Sequence, residues 1–180
     1  MVMLRQKKLP TEMNPLIKFD SDLDEFPWFL IFLEDLHKVR FESRIWEAFK
    51  KWSCLSENEA IKVLTYGTYP YINVKGNLVG STATGDHGHF KPSRPHDIWI
   101  RRDEVQRYEK TTDPHVELAT GKYLEYLILH ELVHWGRHLS GAGDDFEVTK
   151  LDPNNFMKDF DSGNLFGEEA YKNFYKPHLK

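Results

Sequence analysis

Cysteine is almost missing. Among 180 residues there is one, Cys54, which cannot close an internal disulfide, so the fold is not built on oxidation. It falls at the end of a helical pattern and reads as packing there. A catalytic thiol is the weaker reading, because the chemistry-bearing residues gather elsewhere. Long apolar runs are also missing. The longest, residues 26–33, contains Pro27 and is far too short to span a bilayer. The first eight residues, MVMLRQKK, lack the apolar stretch of a secretory leader. The expectation is a soluble chain that, if exported, leaves by a specialised system. Strong charge of one sign is absent too. The formal net charge is −4 and basic residues are scattered, so neither a nucleic-acid nor a membrane partner is expected. No repeat and no linker interrupts the chain. With 40% hydrophobic residues, it is expected to fold as a single domain over 1–180, with 1–24 irregular.

What is present begins with helices. Acidic residues and Pro27 precede an apolar stretch, which predicts a buried helix over about 25–38. Phe41, Ile45, Ala48, Phe49 and Trp52 recur at helical spacing, predicting an amphipathic helix that ends near Cys54. Ser56 and Glu59 form a capping box for a third helix running to about Tyr66, which Gly67 stops. The texture then changes. Residues 69–74, 78–84 and 96–102 carry β-branched and aromatic residues between Gly and Pro, and predict a small, mainly antiparallel sheet. Residues 103–115 are polar and are expected to connect. A long helix follows over about 118–139, with Gly136 as a point where it ends or bends, closed by Gly141-Ala142-Gly143. A polar connection over 140–164, with a short helix at 154–159, leads to a last helix over about 165–176.

The long helix contains Leu-Ile-Leu-His130-Glu131-Leu-Val-His134-Trp135-Gly136. One helical turn separates His130 from His134, so both project from one face and can bind one metal ion. Glu131 lies about 100° around the helix, where it reaches a metal-bound water rather than the metal. This is H-E-x-x-H chemistry, with the Glu as general base. The neighbours Leu127, Ile128, Leu129, Leu132, Val133 and Trp135 are uncharged. Two imidazoles buried among them need partners, and a metal supplies them. The plainer reading is a pair of core histidines bonded to backbone or carboxylate.

A catalytic zinc takes three protein ligands and a water. His138 is eight residues from His130, about 12 Å along the axis, too far to share one ion, and reads as a helix-end cation. The metzincin pattern fails because Arg137 and Ser140 stand where its Gly and His belong. The remaining source is a Glu on a later helix. Glu169 is the choice, with Asn173 one turn on to support a ligand histidine. Glu168 follows closely, and Glu147 is a weaker candidate. Asp86-His87-Gly88-His89 could bind a metal or line the cleft, but reads first as a turn with exposed histidines. Asp159 to Asn164 resembles a calcium loop only faintly, since its Gly is misplaced and Ala170 stands where the bidentate Glu belongs.

The run LILHELVHWG, with an acidic Gly-containing loop and then GNLFGEEAY, resembles the metallopeptidase toxin domains of bacterial polymorphic toxin systems. More broadly it is similar to the small gluzincins. The resemblance covers the last third of the chain. It implies an α+β, zincin-like fold: N-terminal helices, a small sheet, the active-site helix, and a C-terminal helix carrying the third ligand. It implies Zn2+ on His130, His134 and a Glu of the 168–169 pair, with Glu131 catalytic. It also implies a protein or peptide substrate, an immunity protein as partner, and an edge strand at 98–102 that pairs with extended substrate. Tyr123, Tyr126 and Tyr171 are candidate donors to the oxyanion. Two other readings fit the same residues: a non-catalytic zinc-binding or interaction module, and a housekeeping peptidase.

Overall fold

The computed structural model describes residues 25–65, 70–76, 87–143, 150–151, 157–158 and 161–172. Expectations for 1–24, for the strand at 78–84, and for Asp86, Glu147 and Asn173 lie outside the described residues.

The N-terminal helices form as their spacing predicts. Helix α1 (Pro27–Asp35) has Pro in its first turn and buries Phe29, Leu30, Phe32 and Leu33. Its leading N–H groups, on Trp28 and Phe29, donate to the Glu109 carboxylate at 3.2 and 3.1 Å. A distant acid thus satisfies donors that no intrahelical carbonyl reaches. The chain tightens into a 3-10 segment, Leu36–Phe41, before α2 (Ser43–Ser53), which buries Ile45, Trp46, Ala48 and Phe49. Cys54 ends α2 in the left-handed conformation, φ 57°, with an exposed thiol. Helix α3 (Glu57–Val63) carries the expected capping box, Ser56 with Glu59.

Three strands follow: β1 (Tyr71–Lys75), β2 (Gly88–Phe90) and β3 (Asp97–Arg101). They lie in the order β1-β3-β2. Here β1 runs parallel to β3, pairing Ile72 with Ile98, while β2 runs antiparallel, pairing Gly88 with Ile100. The sheet is therefore small and mixed. The strand expected at an edge, β3, is the central one, as its fully buried Ile98 and Ile100 require. Among the described strands, β2 is an edge. The Gly88-His89 segment is strand rather than turn.

Residues read as a connection form helix α4 (Arg102–Lys110), which buries Glu104, Val105 and Tyr108. Polar composition hid it: three inward positions suffice to hold nine residues against the core. Helix α5 (Pro114–Ser140) is longer than expected at its N-terminus. Asp113 caps it, accepting from the N–H groups of His115 and Val116, and Pro114 occupies its first turn. Gly136 does not end it. A Cβ there would lie 2.7 Å from the Ser53 carbonyl oxygen, so this glycine lets the end of α2 pack on α5. The helix ends at Gly141, φ 73°, where a residue without Cβ is favoured. Two short strands, β4 (Lys150–Leu151) and β5 (Met157–Lys158), pair antiparallel. The expected helix at 154–159 therefore fails at 157–158; its other residues are not described. Helix α6 (Ser162–Tyr171) begins three residues before its predicted start.

The architecture is mixed α+β and mostly helical. Its core joins Phe29 of α1, Phe49 of α2, Ile98 and Ile100 of β3, Leu124, Ile128, Leu129 and Leu132 of α5, and Phe166 of α6. Between residues 120 and 136 helix α5 is mostly buried, as the apolar run around its histidines demands. The few polar groups it holds inward are consequently placed with precision.

Candidate metal centre

Tyr126, His130 and His134 recur every four residues on α5 and so stack along one face. The His130 and His134 Nε2 atoms lie 3.3 Å apart. Asp161, the residue before α6, completes the group. Its Oδ1 accepts from the Asn164 N–H at 2.9 Å, capping the helix. That same oxygen lies 3.6 Å from His130 Nε2 and 3.2 Å from His134 Nε2. One ligand atom from each residue falls within 4.8 Å of the others. Four-coordinate zinc with bonds of about 2.1 Å places neighbouring ligand atoms about 3.4 Å apart. A triangle of 3.2, 3.3 and 3.6 Å matches one face of that tetrahedron, with two nitrogens and one carboxylate oxygen as donors. The residues present fit the ion.

The electrostatics agree with the geometry. Burial pushes His130 down to about 4, outweighing the upward pull of Asp161, while His134 adds to the depression. The ring is neutral at pH 7 and its lone pair is available. For Asp161, burial acts upward, but the two imidazoles and the Asn164 N–H hold the carboxyl below its ordinary value. The far side of His130 is fixed. Its Nδ1 bonds Tyr126 Oη at 3.1 Å, and that hydroxyl donates to Asn164 Oδ1 at 3.3 Å. A proton on Nδ1 leaves the Nε2 lone pair facing Asp161, the support a metal-binding imidazole requires. Gly163 lets α6 approach: a Cβ there would lie 2.5 Å from the His130 ring.

Glu131 is buried, with Oε1 3.9 Å from His130 Nε2. On its other side is the strand. A Cβ on Gly88 would come 2.7 Å from Glu131 Oε1. The carboxylate therefore sits between the histidine-bearing face of α5 and the backbone of β2.

A family model described as metallopeptidase toxin 3 matches residues 22–172. The chain belongs to that family. No curated protein and no solved structure matches it. Membership makes the chain a metallopeptidase toxin domain and implies a metal; the His-His-Asp group could hold one.

The metallopeptidase brings together His130, His134 and Glu131, and leaves Glu169 outside. The Glu169 carboxylate bonds Lys51 Nζ at 2.6 Å and Trp52 Nε1 at 2.8 Å, and its side chain is 41% exposed. The Lys51 ammonium, then Trp52, holds it below its ordinary pKa. It lies two turns beyond Asp161 and ties α6 to α2. Glu168 is also exposed. The carboxylate that lies beside the two histidines is that of Asp161. Its signal was the Asp-x-x-Asn spacing of a helix N-cap, hidden because the helix was expected to start at 165. His138 is an exposed helix-end residue whose ring lies 5.6 Å from that of Phe90. Of the three tyrosines, Tyr126 is engaged with His130 and Asn164. Tyr171 donates to buried Glu125 at 2.8 Å. Tyr123 is half-buried beside His87 and Tyr126.

Proposed function

We propose that this metallopeptidase is a zinc-dependent endopeptidase toxin in which His130, His134 and Asp161 hold the ion and Glu131 is the general base. The observation that carries the reading is the triangle of three donors with a buried carboxylate beside it. Zinc, when bound, supplies Lewis acidity to the attacking water and to the carbonyl under attack. Glu131 takes the proton from the water and passes it to the leaving amine. Its burial and its contact with Gly88 restrict it to one position. Tyr126 and Asn164 hold His130 in the tautomer that binds metal. Substrate is placed along β2, because β3 is flanked on both sides and β2 is the strand packed on Glu131. An extended peptide there gains main-chain hydrogen bonds. A protein of a target cell is the substrate class, and an immunity protein is the expected partner.

The experiment is cleavage of denatured casein by wild type and Glu131→Gln, with zinc measured in both. The reading predicts equal zinc and cleavage by wild type alone. Cleavage retained in Glu131→Gln would remove the role given to Glu131. Growth arrest on expression in bacteria, relieved by the same substitution, separates a toxin from a housekeeping peptidase.

A further inference from the structure

Outside the metal site, Glu104 is buried at 2% side-chain exposure and holds a histidine. Its Oε1 lies 2.8 Å from His87 Nδ1, and Arg101 and Arg107 pair with the same carboxylate at 3.2 and 3.5 Å. The His87 side chain is 39% exposed. With Nδ1 held on the buried Glu104 carboxylate, Nε2 is the ring's remaining polar atom. His87 stands one residue before Gly88, the position against which Glu131 packs. Its ring also meets Tyr123 of α5 edge-on at 6.0 Å, and Tyr123 is two turns before His130 on the same helix face.

The backbone around His87 is equally constrained. The Arg101 N–H donates to the His87 carbonyl at 2.8 Å, which extends the β2–β3 ladder by one bond. A ring anchored through its backbone and through Nδ1 has little freedom left. The structure thus presents one oriented imidazole at the start of the strand that packs on Glu131.

We infer that His87, oriented by Glu104, forms a substrate subsite in which Nε2 accepts a hydrogen bond from an N–H of the bound peptide. This rests on the peptidase reading and deepens it. One strand residue advances about 3.4 Å, so the donor lies one or two residues from the bond that Glu131 serves. His87 contacts substrate, and Glu104 is a positioning residue.

The test uses the full chain, zinc-loaded and carrying Glu131→Gln, and a fluorescent decapeptide spanning a casein bond that wild type cuts. Kd is measured with His87 intact, His87→Ala and His87→Phe. The inference predicts that both substitutions weaken binding about three- to tenfold, with zinc content unchanged and the variants folded. His87→Phe keeps a ring against Tyr123 but has no acceptor. Unchanged Kd in both variants, or full affinity in His87→Phe, overturns the inference. Methylating the peptide's backbone amides in turn, and replacing its Lys, Arg, Asn and Gln in turn, identifies the donor. The matching peptide is insensitive to His87→Ala. Persistence of the His87 effect across every such peptide also overturns it. Wild type that binds zinc but cuts nothing would instead defeat the peptidase reading itself.

Discussion

At the residue scale, two glycines set the geometry. Gly163 stands where a Cβ would meet the His130 ring at 2.5 Å, and Gly88 where one would meet Glu131 Oε1 at 2.7 Å. Gly163→Ala is predicted to displace His130 and weaken zinc binding at least tenfold, read by competition with a chelating dye. Gly88→Ala is predicted to leave zinc binding within about twofold while cleavage falls tenfold or more, because it moves the base and not a ligand. Equal loss of zinc in both variants would contradict this division. The His130 imidazole also sets a pH dependence. Its folded value of about 4 lies below the ordinary 6.5. Between these values the unfolded chain binds the proton and the folded chain does not. The zinc-free protein should therefore keep this contribution above pH 6.5 and lose it as pH falls toward 4. Urea midpoints from pH 7 to 4 should decline more steeply for wild type than for His130→Gln.

At the element scale, legibility followed the strength of the periodic signal. Helices α1, α2 and α3 were readable because Phe, Trp and Ile recur on one face and Ser56 with Glu59 marks a start. Helix α5 and its two histidines were readable because an apolar run holding H-E-x-x-H has one economical explanation. Helix α4 was not, since its inward positions include the charged Glu104, which its pairs with His87, Arg101 and Arg107 keep buried. The sheet order was not legible either, because nothing local to residues 97–101 reveals that β1 and β2 flank them. The reading of Glu169 as third ligand looked to the far end of α6, whereas the carboxylate beside the two histidines, Asp161, stands at its start. Glu169 has the chemistry of a ligand, but Lys51 and Trp52, more than a hundred residues earlier, hold it on the surface. A pattern confined to α6 cannot show that. Tyr126→Phe should separate support from ligation: loss of the hydroxyl between His130 and Asn164 is predicted to weaken zinc binding by about ten- to a hundredfold without unfolding the helix. Zinc affinity equal to wild type would remove Tyr126 from the centre.

At the scale of the whole molecule, the proposed metal group joins segments separated by a long stretch of chain. His130 and His134 come from the middle of the buried helix, Asp161 from the start of α6. No helix among the described residues is long and apolar enough to cross a membrane, and α5 spends its apolar surface on the sheet and on neighbouring helices. An ion bound by α5 and α6 together is present only when both are docked, so binding energy becomes folding energy. Free zinc at a hundred times its Kd should add about 2.7 kcal/mol to stability, and chelation should lower Tm correspondingly. A Tm indifferent to chelator would show that no ion links the two helices.

The central claim is that Asp161, with His130 and His134, holds the catalytic metal. Zinc per chain, measured after dialysis in wild type, Asp161→Ala and Glu169→Ala, tests it most directly. The account predicts about one zinc in wild type and in Glu169→Ala, and its loss in Asp161→Ala with the fold retained. Zinc kept in Asp161→Ala and lost in Glu169→Ala would contradict it.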